Sequence, residues 1–350
     1  MPHLFEVNMS ITTIRDIARE AGVGKSTVSR VINGSGYVSV ETRKKIEEVM
    51  KRNNYVPSSA ARSLSKKESD TIGLIIPEVT NPFFGEILNG ISQRVDENDL
   101  TLILCNSAND DIEKDFRAFE GMLRHRVKGL IFTPATSYSK KQLCRLCNYL
   151  DKLQCPLVLL DRSIANLNID GVFTDNFQSA YMATEALIKA GHRKIGTVTG
   201  DQNLSIGCDR QAGFEKALET YGIELNEKYI VQGNFDTETT YICMQELIQT
   251  GDLPTAFFIS NNLSCAGFLK AVIKHRLRIP EDIAIIVFDK IIGQDIFDLK
   301  YSFVERDVQN MGRLAMQLLL SRLKEPNRNV EKIVIKSTLN LLGSEKFVSN

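Results

Sequence analysis

The sequence predicts an α/β protein: a small all-α head carrying a helix-turn-helix, followed by two doubly wound parallel-sheet subdomains. Three observations predict it. Before residue 57 apolar residues recur at helical spacing, in three short segments separated by turns. From Thr71 onward, short β-rich runs alternate with amphipathic stretches, the pattern of parallel sheets covered by helices. Of the 350 residues about 280 follow that second pattern, which favours two sheets over one.

In the head, Thr13 caps a first helix with Ile14, Ile17, Ala18 and Ala21 on one face. Gly22-Val23-Gly24 interrupts it. A second helix runs from about Lys25 to Asn33 with Val28, Val31 and Ile32 inward, and Asn33-Gly34-Ser35-Gly36 reads as a loop. Ser39 then caps a third helix whose inner face holds Ile46, Val49 and Met50. A recognition helix puts its first residues against base edges in the major groove. Lys25, Ser26 and, one turn along the same face, Arg30 are the candidates for that role, with Thr27 and Ser29 better placed for phosphates. Thr13, Asn33 and Arg62 complete the expected DNA-contacting set with Leu64. Leu64 closes a short helical stretch opened by Pro57 and followed by a polar run. Beside basic residues it suits an apolar wedge in a minor groove; packing on the next domain is the alternative.

Charge supports the division. Residues 1–67 hold 12 Lys/Arg against 6 Asp/Glu, and the remainder holds 31 against 37. A basic head on an acidic body fits a polyanion-binding module joined to something else.

The second region offers strands at Ile72–Ile76, Thr101–Cys105, Gly129–Phe132, Leu157–Leu160, Ile195–Val198, Ala256–Ile259 and Ala284–Phe288. Ligands bind such sheets outside the carboxyl ends of the strands. The loops there carry Asn81, Phe83 and Phe84, then Thr133, Asp161 and Arg162, then Arg210, Phe235, Asn261 and Asp289. Aromatic rings beside Asp, Asn and Arg suit a sugar, whose C–H face stacks and whose hydroxyls hydrogen-bond.

Other classes find little support. No apolar run approaches the roughly 18–20 residues that span a membrane, and no signal peptide is evident, so a cytoplasmic protein is expected. The seven cysteines (Cys105, Cys144, Cys147, Cys155, Cys208, Cys243, Cys265) read as reduced thiols, since the single C-x-x-C has no second pair or histidine cluster near it. No phosphate-cradling glycine loop opens a helix. The four histidines (His3, His125, His192, His275) are dispersed, so an enzyme is disfavoured and no cofactor or metal is expected.

The run TTIRDIAREAGVGKSTVSRVINGSGYVSVETRKKIEEVMKRNNYVPSSAARSL resembles the DNA-binding head and hinge of the lac repressor (LacI/GalR) family. The resemblance continues through TIGLIIPEVTNPFF, LLDR, EALIKAGHRKIG, DRQAGF, FFISNN, IPEDIAIIVFD and NMGRLAMQLLL, covering about residues 11–344. Met9 stands where members of the family usually begin. It implies a helix-turn-helix domain at 11–57, a hinge at 58–68 and a periplasmic-binding-protein-like sensor at 69–344. The sensor halves are expected at 69–170 plus 303–330 and at 171–302 plus 331–344. It further implies a homodimeric transcriptional repressor that binds operator DNA and controls carbohydrate use under a monosaccharide-like effector. The seven residues after Gly343 are too few for the leucine heptads that pair dimers into tetramers. A sensor that chiefly binds a partner protein is the alternative within the family.

Three departures bear on mechanism. Gly24 stands where the family commonly has a capping Ser. Thr133 replaces an Asn of the related periplasmic ribose-binding proteins, and Arg306 replaces a neutral Gln. A guanidinium near the pocket suits a carboxylate or phosphate on the effector. Pairing with Asp307 or another acid in the hinge between the halves is the alternative.

Overall fold

The computed structural model describes residues 12–55, 69–108, 111–291 and 293–348. The expected hinge at 58–68, with Arg62 and Leu64, lies outside them. The chain divides into two compact units, Met1–Asp70 and Thr71–Asn350.

The first unit contains α1 (Ile14–Ala21), α2 (Lys25–Asn33) and α3 (Val40–Arg52). Thr13 starts α1 through a capping box with Asp16, and Ser39 accepts from the Thr42 N–H at the start of α3. Gly22 and Gly34 close α1 and α2 at φ 68° and 61°, a conformation in which a side chain would be strained. Ile17, Ala21, Val28 and Ile46 are fully buried between the helices. Ile14, Ile32 and Met50, also expected inward, are partly buried at the edge of that core.

The second unit is built on two six-stranded sheets. One has β1 (Thr71–Ile76), β2 (Thr101–Asn106), β3 (Gly129–Phe132), β4 (Leu157–Leu160), β5 (Asp170–Thr174) and β11 (Lys332–Ile335), in the order β11-β5-β4-β3-β1-β2. The other has β6 (Ile195–Thr199), β7 (Ile230–Gln232), β8 (Ala256–Ile259), β9 (Ala284–Phe288), β10 (Ser302–Glu305) and β12 (Thr338–Asn340), in the order β12-β10-β9-β8-β6-β7. Every pairing is parallel except β10 with β12. The first sheet is flanked by α4 (Pro82–Asp96), α5 (Ile112–His125), α6 (Lys140–Leu153) and α11 (Val308–Lys324). The second is flanked by α7 (Asn176–Lys189), α8 (Ser205–Thr220), α9 (Thr237–Gln249) and α10 (Asn262–Lys274).

Sheet membership moves three of the expected boundaries. β5 and β11 belong to the first half and β10 to the second, so the chain crosses near residues 175, 306 and 336. β5 and β10 carry polar residues at their ends (DGVFT, SFVE), and edge strand β11 alternates exposed with half-buried residues instead of forming an apolar run. Where α4 and α11 pack together, Gly90 and Gly312 bring the backbones close. A Cβ at either would overlap the carbonyl of Gln309 or Ile87.

Candidate functional site

In the head, α2 presents Lys25, Ser26 and Arg30 on its exposed side, with Thr27 and Ser29 half-buried. Ser26 and Arg30 are four residues apart and share a face. Asn33 donates to Ser29 Oγ at 3.1 Å, fixing both side chains at the end of that surface. The Thr13 hydroxyl donates to Asp16 at 2.6 Å as part of the cap. At the other end Gly24 supplies no capping side chain, so the first turn of α2 is open.

In the second unit, loops from both sheets converge on a cleft of about 360 Å³. Ten of the expected residues line it: Asn81, Phe83, Phe84, Asp161, Arg162, Arg210, Phe235, Asn261, Asp289 and Arg306. Thr133 does not. It is fully buried below the cleft, where its hydroxyl donates to the Leu160 carbonyl at 3.0 Å and ties the end of β3 to β4.

The backbone marks the same place. Asp161, Phe235 and Asp289 all have left-handed backbone, at φ 64°, 61° and 72°. A non-glycine residue there costs of order 1 kcal/mol, a cost that clusters at functional sites. The Phe235 ring lies against Gly200, where a Cβ would overlap it.

Arg306 is central to the electrostatics. It sits at the crossover between β10 and α11, 7% exposed. Its Nε and Nη2 donate to the two oxygens of Asp289 at 2.7 and 2.8 Å, and its Nη1 donates to Asp161 at 2.8 Å. Asp161 follows a strand of one sheet and Asp289 a strand of the other, so one guanidinium joins the halves. It also lies 4.1 Å from the centre of the Phe83 ring, covering the surface expected to stack on a sugar. Burial alone would push its pKa down, but the two carboxylates hold it above the ordinary arginine value. Thus the hinge-acid reading of Arg306 describes its contacts here, with Asp161 and Asp289 as partners. Asp307 instead caps α11 by accepting from the Asn310 N–H.

Arg210 contrasts with it. It is 2% exposed, and both of its hydrogen bonds go to neutral acceptors, Asn176 Oδ1 at 2.8 Å and the Ser260 carbonyl. Its guanidinium stacks 3.5 Å from the Phe288 ring centre. Burial, reinforced by the charge of Arg306, lowers its pKa to about 9. Arg162 donates to the Pro134 and Ala135 carbonyls at 2.9 Å and stands 4.0 Å from Asp161. Asn81 and Asn261 turn their oxygens onto the first turns of α4 and α10, accepting from Phe83 and Ser264.

Sequence reasoning missed nine further lining residues, among them Asn262, Leu204, Ile206, Asp201 and Asp236. Asp201 follows β6 and Asp236 adjoins Phe235, so the strand-end rule reached their loops. Asn262 bridges the halves, donating to Asn81 at 3.4 Å, a contact across 181 residues that no local signal announces.

Comparison with known proteins agrees with this architecture. Residues 69–345 match the family described as periplasmic binding proteins and sugar binding domain of LacI family, and residues 13–58 match bacterial regulatory proteins, lacI family. The chain is 35% identical to the ribose operon repressor of Haemophilus influenzae, over 95% of this chain and 98% of that protein. It is 33% identical to the HTH-type transcriptional repressor PurR of the same species, over 92% and 94%. Among solved structures it resembles a LacI-family regulator from Enterococcus faecium with bound ribose, at 25% identity and TM-score 0.71, covering 80% of this chain and all of that one. The lac repressor dimer bound to operator shares the fold at 22% identity and TM-score 0.83, over 96% and 99%.

Proposed function

Because the chain belongs to the LacI family of effector-controlled, DNA-binding transcriptional repressors, we propose that its cleft takes a monosaccharide-sized effector whose occupancy sets the affinity of a homodimer for the operator of a carbohydrate-use operon. The observation that carries this reading is the convergence of ten polar and aromatic residues on one 360 Å³ cleft between two sheets, a volume within the usual small-molecule range. Residues from both halves line the cleft, so a bound ligand favours one relative placement of the halves. By linkage, the ligand then changes DNA affinity by the same factor that DNA changes ligand affinity. The name of the Haemophilus relative puts ribose and its acid and phosphate derivatives first in the screen.

In the head, Lys25, Ser26 and Arg30 read base edges while Thr27 and Ser29 hold phosphates. Leu64, with Arg62 beside it, enters the minor groove as the wedge of a paired hinge. Such a protein works in the cytoplasm, where its operator is. None of the described helices is long and apolar enough to cross a membrane.

The test combines a thermal-shift screen of monosaccharides on the full chain with fluorescence anisotropy on upstream operator fragments. A native-state ligand raises the melting temperature, and the same compound should change operator affinity. A compound that raises the melting temperature yet leaves DNA affinity unaltered would refute the coupling.

A further inference from the structure

At the base of the cleft the hydrogen-bonding inventory is unbalanced. Asp289 gives both oxygens, and Asp161 one, to Arg306. The side-chain oxygens of Asn81 and Asn261 are turned onto helix N–H groups. Most of the acceptors that would take a sugar's hydroxyls are therefore engaged within the protein. Donors remain in excess. The guanidinium of Arg210 meets only neutral oxygens. α8, which carries it, begins after Leu204, a residue with no side chain oxygen to cap the first turn.

Charge gives the same imbalance. Among the lining residues three cations, Arg162, Arg210 and Arg306, and one anion, Asp161, are buried, while Asp289 is partly buried. Of the three cations, Arg210 is the one with no carboxylate at ion-pair distance among the described residues; Asp289 and Asp161 act on it only from further away. An arginine in so dry a place is costly without a counter-charge. Of the other acids lining the cleft, Glu78 and Asp201 are half-buried and Asp236 is exposed, so water reaches and screens them.

We propose that the effector is an anionic monosaccharide, a sugar acid or sugar phosphate, with its charged group seated on Arg210 at the base and its hydroxyls toward Asp201 and Asp236 at the mouth. Arg306 favours this ligand without touching its charge, by occupying the carboxylates that a neutral sugar would need. The inference rests on the effector-cleft reading above and adds the chemical class.

Isothermal titration of the full-length protein against matched series tests it: ribose, ribonate and ribose 5-phosphate; glucose, gluconate and glucose 6-phosphate; and the corresponding galactose set. In at least one series the acid or phosphate should bind about tenfold or more tighter than its neutral parent, the increment of one charge-assisted bond. Arg210→Gln should narrow that ratio by about the same factor. Where circular dichroism shows that Arg210→Gln does not fold, Arg306→Gln replaces it. Freeing Asp161 and Asp289 should then shift preference toward the neutral sugar. Neutral parents binding as well as or better than the charged members in wild type would overturn the proposal and leave the cleft reading intact. If no member of any series binds, both fall.

Discussion

The head and the cleft both present arginines, yet the two surfaces use them in opposite ways. On α2, Lys25 and Arg30 point into solvent, so the basic surface is available to a polyanion. In the cleft, Arg306 is saturated by Asp161 and Asp289, and the charge that a reading of Arg306 alone would assign to a ligand is spent within the protein. A charge can be read from sequence. Its availability depends on what lies within 3 Å of it, and in a cleft those neighbours come from distant parts of the chain.

That contrast predicts the largest effect for Arg306. Arg306→Ala leaves Asp161 and Asp289 in place, with side chains only 4% and 13% exposed, and without their main counter-charge. Removing one partner of a buried pair costs about 3–5 kcal/mol, so urea denaturation should show a loss of that order. A loss below about 1 kcal/mol, the range of exposed pairs, would mean that the cleft charges are as solvated as those of the head.

The head substitutions should act on DNA and not on the fold. Lys25→Ala and Arg30→Ala should each weaken cognate operator binding by roughly 1–3 kcal/mol while relaxing base preference. Anisotropy titrations with cognate and scrambled duplexes check this. Equal losses on both would move these residues from reading bases to holding phosphates.

A smaller change tests how local the head is. Thr13→Ala removes the α1 cap and should cost about 1 kcal/mol, seen by calorimetry as a lower head transition with the second unit's transition unmoved. Movement of both would contradict the independence of the two units.

Smallest is Gly24→Ser. A Cβ there would stand 3.6 Å from Ser26 Oγ and 3.9 Å from Thr27 Oγ1, ordinary contact distances. The new hydroxyl can cap α2, gaining a few tenths of a kcal/mol. Calorimetry should show a slight rise in the head transition, and a fall would mean that Gly24 is needed for its backbone.

The three head helices were legible because each is specified within a few residues: Thr13 with Asp16, Ser39 with Thr42, Gly22 and Gly34 at the ends, apolar residues three and four apart. The strands β1, β3, β4, β8 and β9, nearly continuous apolar runs, were legible for the same reason, and the rule that loops after parallel strands hold the site led to nine of the cleft residues, Arg306 coming from the family resemblance. Thr133 obeyed that rule and still fell below the cleft, because its hydroxyl found a neighbouring strand's carbonyl. Strands β5, β10 and β11 escaped notice since their sequences mix apolar with polar residues (DGVFT, SFVE, KIVI) and their pairing comes from sheet partners, and with them went the crossover points on which Arg306 sits.

The sequence by itself determined the division into a basic helical head and an acidic α/β body, the exposed basic face of α2, and the set of loops that lines the cleft. These follow from periodicity, capping and charge, which act between residues close in the chain. Only the tertiary structure decided which cleft groups remain open to a ligand. Arg306 meets Asp161 across 145 residues and Asp289 across 17, while Arg210 hydrogen-bonds only to the neutral oxygens of Asn176 and Ser260. Coulomb energy depends on separation in space and on burial, and neither can be read from the order of residues along the chain.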